Sequence, residues 1–149
     1  MRIALYQPEI AGNVGAVLRV AACFGVPVDV IEPTGFVFSD AKLKRAGMDY
    51  IERVDMTRHR SWDAFREAVP HPPVLLTTHG SQSLYAHHFD KDDILLFGQE
   101  SAGVPRHVAD ICAARIRIPV AAGARSLNLS VACGIAVGEA LRQTGGLPC

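Results

Sequence analysis

Apolar and polar positions change period several times along the chain, and each change marks an element. Arg2 to Gln7 is an apolar run closed by Pro8, the pattern of a strand. From Val14 to Phe24 the positions Val14, Val17, Leu18, Ala21 and Phe24 recur at helical spacing, and Gly25 supplies the stop. Val26 to Glu32 reads as a second strand, closed by Pro33, Thr34 and Gly35. Asp40 is placed to cap a short helix through Ala46, with Gly47 ending it. Tyr50 to Met56 alternates apolar and polar residues, as an edge or half-buried strand does.

Ser61 then opens a helix that ends at Glu67 and carries Trp62, Phe65 and Val69 on one side. Residues 70–73 are a Pro-rich connector. Val74 to Thr78 and Ile94 to Phe97 are buried-type strands, and Pro105 suits the first turn of a helix. Arg115 to Val120 is the last strand. After a polar loop, Val131 to Gln143 forms a helix of mostly small and apolar residues, with Asn128 or Ser130 as its cap. This alternation predicts one α/β domain over residues 1–149, a mainly parallel sheet flanked by helices. In a parallel sheet the carboxyl ends of the strands share one edge. Three polar, Gly-containing loops (Thr77 to Gly80, Gly98 to Gly103 and Ala121 to Ser130) are therefore able to converge into one pocket.

Composition narrows the chemistry. At 149 residues and 49% hydrophobic content the chain has material for a sizeable core. The formal net charge is zero, so no global basic field points to nucleic acid. Locally, residues 42–60 hold Lys42, Lys44, Arg45, Arg53, Arg58 and Arg60 against Asp49, Glu52 and Asp55, either a solvated surface or a phosphate-binding strip. Cys23 and Cys133 fall inside apolar helical patterns and are expected to be small buried hydrophobes. His59, His71 and His107 sit among surface-type residues. His87 and His88, with Asp90, Asp92 and Asp93, match no metal-ligand spacing, so no metal site is expected. No charged-then-apolar leader is present, and no apolar run approaches the ~20 residues of a membrane span, so the expectation is a cytoplasmic protein without a membrane partner. Dinucleotide, Walker and nucleophile-elbow motifs are all missing. Arg19 is the only charge between Val14 and Gly25, behind Asn13 and Gly15 at a loop-to-helix junction. Snorkelling and a functional role both account for it.

Three ordered blocks carry a resemblance: Leu5 to Arg19, Leu96 to Pro105, and Ile116 to Ser130 with the helix that follows. With Ile31 to Phe36, Arg45 to Tyr50 and Leu76 to Gly80, they make nearly the full chain resemble the SPOUT superfamily of RNA methyltransferases. Within it, the chain is similar to the small single-domain TrmL-like tRNA 2′-O-methyltransferases. The resemblance implies a C-terminal deep trefoil knot whose loops bind S-adenosylmethionine, leaving S-adenosylhomocysteine as product. Adenosine contacts are implied for Leu76, Gly98, Ile118 and Ser126, and a homodimer through the knot region. The implied reaction methylates the ribose 2′-hydroxyl of the tRNA wobble nucleotide, cytidine or modified uridine 34, leucine isoacceptors among the substrates. Roles at the reacting centre are implied for Arg19, Glu100, Ser126 and Asn128. A guanidinium is effectively always protonated, so Arg19 suits orienting a phosphate and stabilising a developing alkoxide better than acting as a base. Glu100 would position Arg19 or loop amides, and Ser126 and Asn128 would shape the pocket. Ala16, Ala102 and Gly138 depart from the pattern. A superfamily enzyme acting on rRNA, a non-catalytic RNA-binding protein and, less favoured for want of a phosphate motif, a small-molecule α/β enzyme using a nucleotide cofactor are the alternatives.

Overall fold

The computed structural model describes residues 1–39, 41 and 51–149. The helix expected from Asp40 to Ala46, its stop at Gly47, the cations Lys42, Lys44 and Arg45, and the block Arg45 to Tyr50 lie outside the described residues. Among the described residues seven strands form one sheet: β1 (Arg2–Tyr6), β2 (Val28–Ile31), β3 (Met56–His59), β4 (Val74–Leu76), β5 (Gln82–Ser83), β6 (Ile94–Phe97) and β7 (Ala114–Arg117). Their order is β3-β2-β1-β6-β4-β7-β5, and every adjacent pair runs parallel. The described helices are α1 (Ala11–Phe24), α2 (Trp62–Ala68), α3 (Arg106–Asp110) and α4 (Leu129–Thr144). No helix among the described residues is long and apolar enough to cross a membrane.

Parallel strands need crossover connections, which cover both faces of the sheet and bury its central strands completely. All four residues of β6 are buried accordingly. Because side chains alternate between faces, Ile3, Leu5, Leu95 and Phe97 join a core with α1 and α4. Ala4, Tyr6, Ile94 and Leu96 pack instead with Trp62, Phe65 and Val108 of α2 and α3. Each buried Val, Leu, Ile or Phe among them contributes about 1.5–3 kcal/mol.

Most expected elements are present, and the differences have physical causes. Helix α1 starts at Ala11, a turn before the apolar repeat becomes visible, and ends at Gly25 with φ 66°. Ser61 caps α2 by accepting from the amide of Ala64 at 3.1 Å. Pro105 stands at the cap position of α3, one residue before the first turn. The strand expected over Tyr50 to Met56 begins only at Met56, after a 3-10 turn at Ile51–Arg53. Among the described residues this edge strand pairs with β2 alone, and its one buried residue is polar, so apolar alternation misplaced it. That residue is His59, expected at the surface. It is 7% exposed, with Nε2 2.7 Å from Oδ1 of the fully buried Asp29. Arg2 completes the cluster, its Nε 2.6 Å from Asp29 Oδ2 and its Nη2 2.9 Å from Oδ1.

Cys133 is buried as expected, but Cys23 is exposed. It lies two positions beyond the buried Ala21, about 200° around the helix axis and so on the opposite face. Strand β5 had no sequence signal: two residues are too few to alternate, and only pairing with Ile116 and Arg117 defines it.

Candidate active site

β1 and β6 are neighbours, yet the chain leaves β1 for α1 on one face and leaves β6 for α3 on the other. Loops that part in opposite directions open a crevice at the carboxyl edge, the place where open parallel sheets hold ligands. Here the two loops are interlocked. Glu100 accepts from the amides of Glu9 (2.8 Å) and Ile10 (3.1 Å) and from Asn13 Nδ2 (3.2 Å). In return, the Glu9 carboxylate accepts from Ser101 Oγ (2.7 Å) and the Ser101 amide (2.8 Å). These bonds to Ser101, side chain first and then backbone, hold the Glu9 carboxyl below its ordinary 4.5.

Asn13 passes the order on. Its Oδ1 accepts from Asn128 Nδ2 at 2.9 Å, and Asn128 Oδ1 accepts from Ser130 N (2.9 Å), Ser130 Oγ (2.6 Å) and Val131 N (3.4 Å). An ionised carboxylate only accepts, so its bond to Asn13 Nδ2 decides which end of that amide faces Asn128. Asn128 must then donate, which leaves its oxygen to cap α4. A single directional relay therefore runs from Glu100 to the start of the last helix. The expected cap at Asn128 is present, and it is tied to a residue 115 positions earlier.

Backbone shape completes the edge. Gln99 and Gly103 exchange hydrogen bonds of 2.8 and 2.9 Å, folding the loop after β6 back on its own start. A Cβ at Gly98 would lie 2.7 Å from Gly103 Cα and 2.8 Å from its oxygen, so only glycine fits beneath the fold. Gln7, just past β1, has a left-handed φ of 45° and accepts from Gln99 Nε2 at 3.0 Å.

Leu76 is in register with Phe97 on one side and Ile116 on the other, so Gly98 follows one residue and Ile118 two residues beyond that level at the carboxyl edge. Leu76 and Ile118 are half-buried and pack against the larger core. Apolar flanks around strand-end main-chain donors and acceptors suit a flat heteroaromatic ring, so these residues fit the adenosine of the expected cofactor. Glu100 and Asn128 lie in the relay. Arg19 is exposed on α1 and Ser126 is exposed in the loop before α4, the two elements that the Asn13–Asn128 bond joins. Of the partners expected for Glu100, the loop amides are the ones it binds. Glu9 and Ser101 were not legible in the sequence, because an acid and a serine 92 residues apart carry no pairing signature. Two shallow open depressions, one beside His71 and Asp90 to Asp93 and one beside Met1 and Gly145, lie away from this edge.

A parallel sheet with loops braced at its switch point defines an α/β protein that holds a ligand at the carboxyl ends of its strands. The chain belongs to the SpoU rRNA Methylase family, whose model it matches over residues 1–138. It is 46% identical over 149 residues to a tRNA (cytidine(34)-2′-O)-methyltransferase of Ancylobacter novellus, covering 98% of this chain and 94% of the relative. A solved structure described as structural insights into the 2-OH methylation of C/U34 on tRNA superposes with a TM-score of 0.89. It is 46% identical and the match spans 95% of this chain and 94% of that one. An AdoMet-bound rRNA methyltransferase from Sinorhizobium meliloti superposes with a TM-score of 0.82 at 31% identity, over 95% of this chain and 55% of that one.

Proposed function

We propose that the protein is an S-adenosylmethionine-dependent tRNA 2′-O-methyltransferase that modifies the ribose of the wobble nucleotide, cytidine or uridine 34. The observation that carries the reading is the relay Glu100–Asn13–Asn128, which ties three loops together at the switch point of the sheet. Relatives matched over nearly their full length support the RNA class and the position modified. The cofactor supplies an electrophilic methyl group when bound. Main-chain groups at Leu76, Gly98 and Ile118, with Ser126, hold its adenosine. The Arg19 guanidinium orients the phosphate beside the target ribose and stabilises charge developing on the 2′-oxygen. In-line transfer depends on alignment of the reacting atoms, so the relay contributes by holding α1 and the start of α4 in fixed relation.

The proposal includes the trefoil knot and a homodimer. Helix α4 packs on α1 and β6 although β7, which precedes it, lies beyond β4; residues 118–128 cross back over the strand ends, as a threaded chain requires. Ile10 (52% exposed), Leu127 (37%) and Val131 (50%) leave an apolar surface beside α4 for a second copy to cover. The test is methyl transfer from labelled S-adenosylmethionine to total tRNA lacking the modification, followed by mapping of ribose methylation. Label at position 34 is the expected result. Label confined to rRNA, or none with intact tRNA binding, overturns the reading.

A further inference from the structure

We propose that Glu9 is a positioning residue of this reaction, holding the loop after β6 so that Glu100 is aimed at Asn13; this rests on the function proposed above. The geometry is reciprocal. Glu100 takes the amide of Glu9 at 2.8 Å, and Glu9 takes the amide and hydroxyl of Ser101 at 2.8 and 2.7 Å. Each acid thereby satisfies the backbone of the other's loop. Two carboxylates so placed would repel if left bare. Each instead accepts at least two hydrogen bonds, which spreads its charge over fixed dipoles.

Glu9 is also held from behind. The loop after β2 presses on it: the amide of Gly35 donates to Pro8 O at 2.9 Å, and a Cβ at Gly35 would lie 2.7 Å from Glu9 Cα. The backbone of Glu9 has no room to retreat, so its carboxylate is a fixed anchor for Ser101. Glu9 stands outside the set Leu76, Gly98, Ile118 and Ser126 and acts through Glu100. Removing it lets residues 99–101 shift, which loosens the bond from Asn13 to Glu100 and then that from Asn128 to Asn13. Misplacement of about 1 Å costs roughly 100-fold in an aligned transfer.

The role is one of shape. In Glu9→Gln the amide oxygen still accepts from Ser101 N, and the amide nitrogen donates to Ser101 Oγ, whose hydroxyl both gives and takes. The test compares Glu9→Ala, Glu9→Gln and Ser101→Ala in the full chain. Three readouts serve: steady-state methylation of tRNA, calorimetric binding of S-adenosylhomocysteine, and amide hydrogen exchange at Ile10 and Ser101. Glu9→Ala should lower kcat by about 10- to 100-fold with KM for tRNA changed less than about threefold. It should also lose exchange protection at Ser101. Glu9→Gln should keep at least roughly a third of wild-type kcat, and Ser101→Ala should fall between the two. Ser101 is exposed, so Ser101→Ala remains informative should Glu9→Ala fail to fold. Full kcat in Glu9→Ala, equal losses in Ala and Gln, or wild-type kcat in Ser101→Ala with Glu9→Ala unfolded would each overturn the role. A wild-type protein that neither binds S-adenosylhomocysteine nor methylates RNA overturns the enzyme reading instead.

Discussion

Gly98→Ala tests how rigidly the loop after β6 is folded. The added methyl would sit 2.7 Å from Gly103 Cα and 2.8 Å from Gly103 O, where ordinary contact begins at 3.4 Å. The backbone around Gly103 must therefore give by more than about 0.7 Å, because its carbonyl carbon lies closer still, and Gly103 is itself held at φ 65° between two hydrogen bonds to Gln99. Overpacking of this kind costs about 1–3 kcal/mol. Losing the two hydrogen bonds adds about 1 kcal/mol each, giving roughly 3–5 kcal/mol in all. Urea denaturation of the variant beside wild type measures the loss, and calorimetry with S-adenosylhomocysteine measures the displaced strand end. We expect a clearly lowered midpoint and binding weakened by at least about tenfold. Stability within about 0.5 kcal/mol of wild type would refute the reasoning, because it would mean that the fold-back yields without resistance.

Asp29→Ala should destabilise by about 3–5 kcal/mol in the same urea assay, because it leaves the buried His59 ring and the Arg2 guanidinium without their shared anion. An effect below about 1 kcal/mol would show that water replaces the carboxylate. Glu139 accepts from Arg142 and Gln143, bonds that pull its carboxyl from 4.5 down to about 2. Its folded pKa lies below the unfolded one, so its contribution is complete above pH 4.5 and is lost as pH falls toward 2. The stability difference between wild type and Glu139→Gln should therefore be constant near neutrality and shrink across that acid window in urea melts. At Gly138 a Cβ meets nothing within 4 Å in the single chain, so Gly138→Ala should stabilise α4 by about 1 kcal/mol. A loss of stability that depends on protein concentration would place a second copy against that face.

Local pattern was enough to read the strands β1, β2, β4, β6 and β7, the helices α1, α2 and α4, and the caps at Gly25, Ser61 and Asn128. Each rests on interactions within a few residues, or on a hydrophobic period that a buried face imposes. The carboxyl-edge location of the site followed from the parallel class alone, because that class puts all strand ends on one side. Cys23 was misread although the helical period alone sets it opposite Ala21. His59 and the start of β3 were misread because the buried residue of that strand is a histidine held by Asp29, 30 positions away. Glu9, Ser101, Gln7 and Gln99 were invisible for the same cause, since each bonds to a residue about 90 positions away in the chain. The sequence by itself determined the polar loops that follow the strands: Thr77 to Gly80, Gly98 to Gly103 and Ala121 to Ser130. Only the tertiary structure decided that Glu100, Asn13 and Asn128 form one relay. Hydrogen-bond direction is set by which donors and acceptors meet in space, and strand order, not chain order, brings them together.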